Sequence, residues 1–417
     1  MIAAHIITWI ICAAATAGVI VRPFRWPEAT WAIAGAVALV AAGLLPLVTA
    51  WAAVGKGLDV YLFLAGMMLL SEVAREEGLF DRVASFAVTH AAGSARRLFA
   101  LVYAAGAVIT ALLSNDATAV VLTPAVYAAA KAARADPLPH LFVCALIANA
   151  ASFVLPISNP ANIVLYGDHT PPLWPWLKAF LLPSVVSIGA TFLALRWVER
   201  RGLEGPCAAG VEALPMTAGA WTAVLGIGLT AVVLLTVSAL DVHLGLPTFV
   251  MGLVTATIVW VRGRRSPGRT LRSVSWQVLF LVAGLFVLVQ GLEFTGVIAV
   301  LVRLLSRGVS ASVEVTAWAA GGAIALVSNL TNNLPAGLVA ASTLAKAKPP
   351  PSVTDALLIG VDLGPNISVT GSLATILWLT AIRREGADVG FVRFLKVGIA
   401  VTPPALGLAL AARLLVG

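Results

Sequence analysis

Apolar stretches of about 17 to 25 residues recur from one end of the chain to the other. Each can cross the hydrocarbon core of a bilayer as an α-helix, because a helix rises about 1.5 Å per residue and that core is about 30 Å thick. Only 11% of the 417 residues are charged and 60% are hydrophobic, whereas soluble domains carry roughly a quarter charged residues. The sequence therefore predicts an all-α polytopic membrane protein with no sizeable soluble domain.

The basic residues predict the orientation of these spans. Lys and Arg gather in short loops, as is typical of cytoplasmic loops, and not along one helical face with interleaved aromatic residues, so no nucleic-acid partner is expected despite the net charge of +8. We take the most basic loop, Val261 to Arg272, as cytoplasmic. The expected location is the inner (plasma) membrane. Ten spans follow, near residues 2–21, 29–50, 58–74, 139–166, 172–196, 218–240, 244–261, 275–294, 353–382 and 391–415.

Two further apolar stretches, about 98–131 and 313–345, carry polar residues at their centres. As plain spanning helices they would place interrupted backbone in lipid, which is tolerated only in a cavity or inside protein. A re-entrant hairpin keeps both flanks of a stretch on one side of the membrane, and it then leaves the remaining basic loops in the cytoplasm. We therefore predict two re-entrant hairpins beside the ten spans. Arg303 and Arg307 fall outside in this arrangement and are assigned to an amphipathic connector.

The two halves of the sequence resemble each other. "ITALLSNDATAVVLTP" from Ile109 parallels "IALVSNLTNNLPAGLV" from Ile324, and "LPISNPANIVL" from Leu155 parallels "ISVTGSLATIL" from Ile367, at an offset of about 210 to 220 residues. Five spans in each half, an odd number, would invert the second copy, and broken helices at matching positions are typical of secondary transporters. The expected organisation is a first repeat (1–200) with a broken helix at about 139–166, a cytoplasmic linker (201–217), and a second, inverted repeat (218–417) with a broken helix at about 353–382.

The polar clusters at these breaks predict a binding site near the middle of the membrane. Half-helix ends with free N–H and C=O groups, together with amides and hydroxyls, bind small polar solutes. For any single residue the alternative is a helix-to-helix hydrogen bond. The candidate substrate-binding residues are Ser114, Asn115, Thr118, Ser158, Asn159, Asn162, Ser328, Asn329, Asn332, Asn333, Thr370, Gly371 and Ser372.

Asp116 and Asp362 lie within the predicted breaks, with no Lys or Arg in either cluster. A carboxylate in mid-membrane costs at least about 2.5 to 3.5 kcal/mol on insertion scales, so it is a functional hypothesis by default. We predict that both residues carry protons. The alternative is that each caps the N-terminus of a half-helix.

No enzyme motif is present: the sequence contains no HExxH, no GxSxG and no P-loop. The three cysteines form no CxxC pair, so no metal site or disulfide framework is indicated, and no cofactor is expected. The alternative from another class is an intramembrane hydrolase, for which Ser114 and Asp116 supply no convincing nucleophile and base.

Three segments resemble the ArsB-type arsenite and antimonite efflux permeases of the ion transporter superfamily. These are "SNDATAVVLTP", "TNNLPAGLV" and "VDLGPNISVTGSLATILWL". The sequence departs from the family pattern at Asn366, where the family carries a Lys, and at Leu334, where it carries a Met. The family motifs correspond to Asn115, Asp116, Leu122 to Pro124, Asn332 to Pro335, Asp362 to Pro365 and Gly371 to Thr375.

The resemblance implies alternating-access export of trivalent metalloid driven by proton influx, with a soluble ATPase subunit as an additional partner in some relatives. In neutral water trivalent arsenic is an uncharged trihydroxide, which amides, hydroxyls and helix ends can bind. Thiolates would hold it too tightly for turnover, and none of the four breaks contains a cysteine. Sodium/proton and sodium/dicarboxylate transport remain alternatives, the dicarboxylate less favoured because no basic residue lies in the clusters.

Overall fold

The computed structural model describes residues 2–167, 170–208, 214–264 and 266–416. Within these ranges the regular structure is helical, which confirms the all-α class. The helices are α1 Ile2–Val21, α2 Glu28–Ala41, α3 Leu47–Lys56, α4 Leu58–Glu76, α5 Leu79–Ala91, α6 Ala95–Leu112, α7 Thr123–Ala132, α8 Pro137–Ala150, α9 Pro160–Tyr166, α10 Leu173–Val198, α11 Ala218–Ala239, α12 Gly245–Gly263, α13 Pro267–Ser273, α14 Gln277–Phe294, α15 Val297–Ala311, α16 Val313–Thr331, α17 Asn333–Ala347, α18 Pro351–Leu363, α19 Leu373–Arg384 and α20 Phe391–Val416.

Eight helices of the described ranges are long and apolar enough to cross a bilayer, and α3 with α4, joined at a 48° bend, forms a ninth such span. The eight include α6 and α16, the first arms of the two predicted hairpins. The chain is therefore a multi-pass membrane protein. The predicted span 29–50 was wrong at its end: α2 stops at Ala41, because Gly43 adopts a φ of +68° and Pro46 offers no N–H to continue the helix.

Helices occur in the same order in the two halves of the chain. The broken pair α8 and α9 has its counterpart in α18 and α19, and α5, which the sequence did not predict, matches α15. Packing between the halves is reciprocal, since α2 packs on α14, α4 on α12 and α10 on α20. This order agrees with a duplication, while the inverted orientation and the boundaries of the repeats stay predictions. Residues 209–213 of the predicted linker and Arg265 of the basic loop lie outside the described residues.

The contact between α4 and α12 depends on glycine. A Cβ on Gly66 would lie 2.3 Å from the carbonyl oxygen of Thr248, and a Cβ on Gly252 would lie 2.5 Å from the carbonyl oxygen of Gly66. Such distances leave no space for a larger residue. Small residues are typical of helix contacts inside membranes, where close backbone approach supplies the packing energy.

The two ends of the first predicted hairpin lie side by side. The carbonyl of Gly93, just before α6, accepts a hydrogen bond from Cys207 N (3.0 Å), and the carbonyl of Ala133, just after α7, accepts one from Ala208 N (2.6 Å). Because Cys207 and Ala208 are consecutive, both flanks must be on the same side of the protein, as a re-entrant hairpin requires. In the second half, α16 and α17 pack against each other and both pack against α15.

The connector assigned to Arg303 and Arg307 is the helix α15. Both arginines are exposed, and Ile298 is the buried residue of this helix. The predicted amphipathic connector is thus a helix that presents most of its surface outward.

Candidate solute-binding site

The first broken span consists of α8 and α9, which are separated by residues 151–159, a segment without α-helix. Asn159 is the N-cap of α9, and its Oδ1 accepts a hydrogen bond from Ala161 N at 3.0 Å. Asn162 is fully buried and stabilises the break, because irregular backbone inside a membrane protein must find its partners within the protein. Its Nδ2 donates to the carbonyls of Ser152, Leu155 and Pro156 at 2.8, 3.2 and 3.3 Å.

The second broken span separates α18 from α19, and Ser372 is the N-cap of α19. Thr375 N donates to Ser372 Oγ at 3.1 Å and Ser372 N donates to Thr375 Oγ1 at 3.2 Å, which is a capping box. A Cβ on Gly371 would lie 2.5 Å from the backbone of Pro365, so this turn requires glycine.

Two equivalent side-chain contacts connect the two breaks. Asn159 Nδ2, at the start of α9, donates to Asp362 Oδ1, one residue from the end of α18, at 2.8 Å. Asn149 Nδ2, one residue from the end of α8, lies 3.4 Å from Ser372 Oγ at the start of α19. The penultimate residue of each first segment therefore contacts the N-cap of the other span.

The first hairpin turns at Ser114 and Asn115. Ser114 Oγ accepts from Ala117 N at 3.3 Å, and Asn115 Oδ1 accepts from Asp116 N at 2.9 Å. A π-helical turn, Ala117–Leu122, follows, and such wide turns frequently lie at functional sites. The carboxylate of half-buried Asp116 has no hydrogen-bond or ion-pair partner in the part of the chain that the structure describes.

The second hairpin turns at Asn332, which adopts a φ of +79°. Its Oδ1 accepts from Leu334 N at 3.4 Å and so caps α17. Asn329 Oδ1 accepts a hydrogen bond from Ser368 Oγ, which ties this hairpin to the second break.

Both hairpin tips and both broken spans meet at one small cavity of about 10 Å³, room for about one water molecule. Helices α4 and α14 complete its walls through Leu64 and Val278. Of the predicted site residues, the cavity is lined by Asn115, Asp116, Asn159 and Asn333; its other walls are Pro160, Leu334, Leu373 and Ala374.

The remaining predicted residues lie around this cavity without lining it. Asp362 is completely buried behind Asn159. Thr118 bonds to Thr110 (2.8 Å), and Ser328 is buried. Ser158 Oγ donates to Ala111 O at 3.0 Å, and Thr370 Oγ1 lies 3.0 Å from Ser368 Oγ. The other predicted residues stabilise the turns and breaks through the contacts given above.

Sequence reasoning did not include Asn149, Ser152 or Asn366 among the site residues, although Asn149 and Asn366 join the two breaks. Asn149 donates to Asn366 Oδ1 at 2.9 Å, and Asn366 Nδ2 donates to Leu146 O at 2.9 Å. Ser152 Oγ donates to Asn149 O at 2.8 Å. The signal for Asn149 was its place at the end of α8, which matches the place of Asp362 at the end of α18.

A much larger cavity of about 1210 Å³ adjoins the small one. Its lining includes Val60, Ile163 and Leu338, each about one helical turn from a residue that lines the small cavity on α4, α9 or α17. We call this cavity the vestibule. In the predicted topology the vestibule lies on the outer side of the membrane. The basic residues along it are Lys56, Lys178, Lys346, Lys348 and Arg413.

The chain is 27% identical over 358 residues to the arsenical pump membrane protein of Yersinia enterocolitica and 28% identical over 362 residues to that of Escherichia coli K12, in each case across 83% of both chains. The resemblance to arsenical pump proteins is thereby confirmed.

The fold is similar to that of the YdaH transporter of Alcanivorax borkumensis, whose crystal structure has a topology described as unusual. The TM-score is 0.57 at 16% identity, over 88% of this chain and 86% of that one. Residues 7–361 match the family described as citrate transporter (CitMHS). The chain is a membrane transporter and belongs to the citrate transporter family.

Proposed function

We propose that this transporter exports trivalent metalloid, arsenite or antimonite, from the cytoplasm by alternating access, coupled to proton influx. One observation carries the proposal: two hairpin tips and two broken spans converge on a single small cavity with a polar lining of Asn115, Asp116, Asn159 and Asn333. The names of the two arsenical pump relatives support the same substrate.

The lining fits a neutral triol better than an anion. An amide offers both donors and an acceptor, so three of them can meet the three hydroxyl groups of arsenic trihydroxide. Among the described residues that line the cavity there is no Lys, no Arg and no Cys. The cavity must widen to admit arsenic trihydroxide, as alternating access allows, and its lining can then bind the solute by hydrogen bonds and release it, without the tight capture that thiolates give.

The two carboxylates supply the proposed coupling. Asp116 lines the cavity, whereas Asp362 contacts it through Asn159. An intramembrane carboxylate without a basic partner is the usual pattern of a proton relay. Protonation of Asp362 would weaken its hydrogen bond to Asn159, the residue that both caps α9 and lines the cavity. Proton binding is thus linked to the geometry of the site.

A second candidate is the uptake of an anionic carboxylate. The description of the matching family, citrate transporter, favours it, as do Lys56, Lys178 and Lys348 along the vestibule. Lys346 and Arg413 there are paired with Glu293 and Asp355. The small cavity argues against it, because a carboxylate there would meet Asp116, and the part of its lining that the structure describes offers no basic side chain.

Uptake of arsenite into inside-out vesicles with an acidic lumen tests the proposal. We expect accumulation for the wild type only with the proton gradient, and loss of it in Asp116→Asn and Asp362→Asn. The matched control is Asp388→Asn, which removes a carboxylate from an exposed ion pair with Arg383 and should transport normally. If the wild type moves no arsenite, the metalloid proposal is wrong; gradient-driven citrate flux would then favour the second candidate.

A further inference from the structure

We infer that α15 lies at the membrane–water interface on the outer side of the bilayer, where Arg303 and Arg307 bind the phosphate headgroup of an anionic phospholipid. This lipid site is separate from the candidate solute site. It depends on the predicted topology and not on the identity of the transported solute.

Both ends of α15 lie on the same side of the membrane in the predicted topology. Helix α14 ends on the outer side, and the hairpin formed by α16 and α17 enters from that side. The 15 residues of α15 join the two and form a helix about 22 Å long. Because α15 also packs against both arms of the hairpin, it must run along the outer surface of the membrane.

The exposed surface of α15 is divided lengthwise into an apolar and a polar strip. Val300 and Leu304, one helical turn apart, form the apolar strip and are 45% and 60% exposed. The exposed residues of the neighbouring polar strip are Arg303, Ser306 and Ser310. Arg307 is exposed at the boundary between the strips. A helix divided in this way lies in the plane of the interface, with its apolar strip among the acyl chains.

Trp9 of α1 indicates the same depth for the start of α15. Its Nε1 donates to Thr295 Oγ1 at 2.9 Å, two residues before α15 begins, and its side chain is partly exposed. Tryptophan is enriched where a membrane meets water, because its apolar ring carries a polar N–H. The first turn of α15 is therefore expected at the level of the lipid headgroups.

Arg303 and Arg307 carry charge that the described part of the protein does not neutralise. Both are exposed, and neither has a hydrogen bond or ion pair from its side chain to a residue that the structure describes. Helix α15 contains no Asp or Glu. The nearest acidic residues in the sequence are Glu293, which is paired with Lys346, and Glu314, which lies on α16. Like charges four positions apart on a helix destabilise each other, so an anion bound to both would relieve their repulsion.

The matching helix α5 uses its arginine in a different way. Arg82 donates Nε to Pro215 O, and its Nη1 donates to the carbonyls of Glu77 and Gly78, each at 2.8 Å. Its guanidinium therefore binds the protein's own backbone. The arginines of α15 lack such contacts among the described residues, although basic residues generally favour the cytoplasmic side. A ligand at the outer surface accounts for their presence there.

An anionic phospholipid matches both strips of α15. Guanidinium groups bind phosphate oxygens through paired, charge-assisted hydrogen bonds. The apolar strip beside the arginines needs acyl chains as neighbours, since Val300 and Leu304 would otherwise face water. A phospholipid supplies the phosphate and the acyl chains in one molecule, whereas a soluble anion supplies only the charge.

The test places a fluorescent label beside the two arginines in the purified full-length protein. In a background without cysteines, Val300→Cys carries a bimane label in vesicles with equal amounts of phosphatidylcholine and phosphatidylglycerol. Bromine on the acyl chains of one of the two lipids quenches the label when that lipid is in contact with it. We expect stronger quenching by brominated phosphatidylglycerol. A label on Ser306→Cys, in the polar strip, should be quenched less by either lipid.

Two pairs of substitutions separate a specific site from general attraction between charges. Arg303→Gln combined with Arg307→Gln should remove the preference for phosphatidylglycerol, by about fivefold for each arginine. Arg96→Gln combined with Arg97→Gln removes two exposed charges at the start of α6 and should leave the preference unchanged. High NaCl should weaken it in the wild type, because salt screens exposed charges.

Equal quenching by the two brominated lipids in the wild type overturns the inference, and so does a preference that survives without Arg303 and Arg307. A label on Val300→Cys that neither lipid quenches overturns the interfacial orientation. If the cysteine-free protein does not fold, mass spectrometry of lipids retained through purification replaces the label, with the same two pairs of variants. If phosphatidylglycerol binds as expected but the vesicles accumulate no arsenite, only the proposed function is wrong.

Discussion

Asn159 of the first half donates its side-chain amide to the Asp362 carboxylate of the second half, over 2.8 Å and across 203 residues of sequence. The same amide group caps α9 through its oxygen, and the residue lines the small cavity. One side chain thus connects a buried carboxylate, a helix N-terminus and the candidate solute site. Its counterpart contact, Asn149 with Ser372, has the same position but carries no charge.

Substitution of Asn159 separates capping from coupling. Serine is a good N-cap but is too short to keep the hydrogen bond to Asp362, so Asn159→Ser should fold normally and lose proton-driven arsenite accumulation. Asn159→Ala should also lose the cap, which typically costs about 1 kcal/mol of stability. Thermal melts and vesicle uptake on the same preparations measure both. Full transport by Asn159→Ser would exclude a coupling role for this contact.

An exchange of charge between the hairpin tips tests whether both tips serve one site. Asp116 and Asn333 line the same cavity. Asp116→Asn alone should abolish proton-driven uptake, and the double variant Asp116→Asn/Asn333→Asp should recover part of it, because the carboxylate again faces the cavity. The control is Asn333→Asp alone. If the double variant is as inactive as Asp116→Asn, the position of the carboxylate matters and not only its presence in the cavity.

The cluster of Tyr166, Asp355 and Arg413 should contribute to stability. Arg413 Nε donates to Asp355 Oδ2 at 2.7 Å, Tyr166 donates to the other carboxylate oxygen, and both charged residues are only 4% exposed. Asp355→Ala leaves a buried charge unpaired, which costs about 3 to 5 kcal/mol, so it should lower Tm or expression strongly.

Two companion variants calibrate that loss. Tyr166→Phe removes only one hydrogen bond, worth about 1.5 to 3 kcal/mol to a charged group. Asp355→Leu combined with Arg413→Met should be more stable than Asp355→Ala, because an apolar pair replaces the unpaired charge. Equal melting temperatures for Asp355→Ala and the wild type would show that the pair is dispensable.

Glycine at the contact of α4 with α12 should be required for folding. Gly66→Ala places a methyl group 2.3 Å from the Thr248 carbonyl and must push the helices apart. Gly228→Ala is the matched control in a membrane helix, because nothing lies within 4 Å of its added Cβ. We expect a lower Tm and lower yield for Gly66→Ala only. Equal behaviour of the two variants would argue against this packing.

Labelling from one side of the membrane tests the predicted topology. In a background without cysteines, Arg96→Cys and Lys131→Cys, at the two ends of the first hairpin, should both react with an impermeant maleimide from the cytoplasmic side. Lys178→Cys and Lys346→Cys line the vestibule and should react from the outer side. Labelling of Arg96→Cys and Lys131→Cys from opposite sides would rule out a re-entrant hairpin.

The positions of most spans were predictable because they follow from a local property. A bilayer of fixed thickness demands apolar helices of fixed length, and α1, α10, α11, α12, α14 and α20 lie close to their expected ranges. Hydrophobic length predicted the remaining helices less well. Helix α2 ends earlier than expected, and α5 was not predicted because it is a short helix of mixed polarity.

The sequence by itself determined that this is a polytopic all-α membrane protein with polar breaks at matching places in its two halves, because hydrophobic length and helix-breaking residues act locally. Only the tertiary structure decided which polar residues face the cavity and which hold the backbone of a break. Asn162 and Asn159 are three positions apart, yet one satisfies carbonyls and the other reaches Asp362. The contacts of Asn162 stay within its own break, whereas the contact of Asn159 spans 203 residues, like the 217-residue separation of Asn149 from Asn366, and only packing of the two halves creates such contacts.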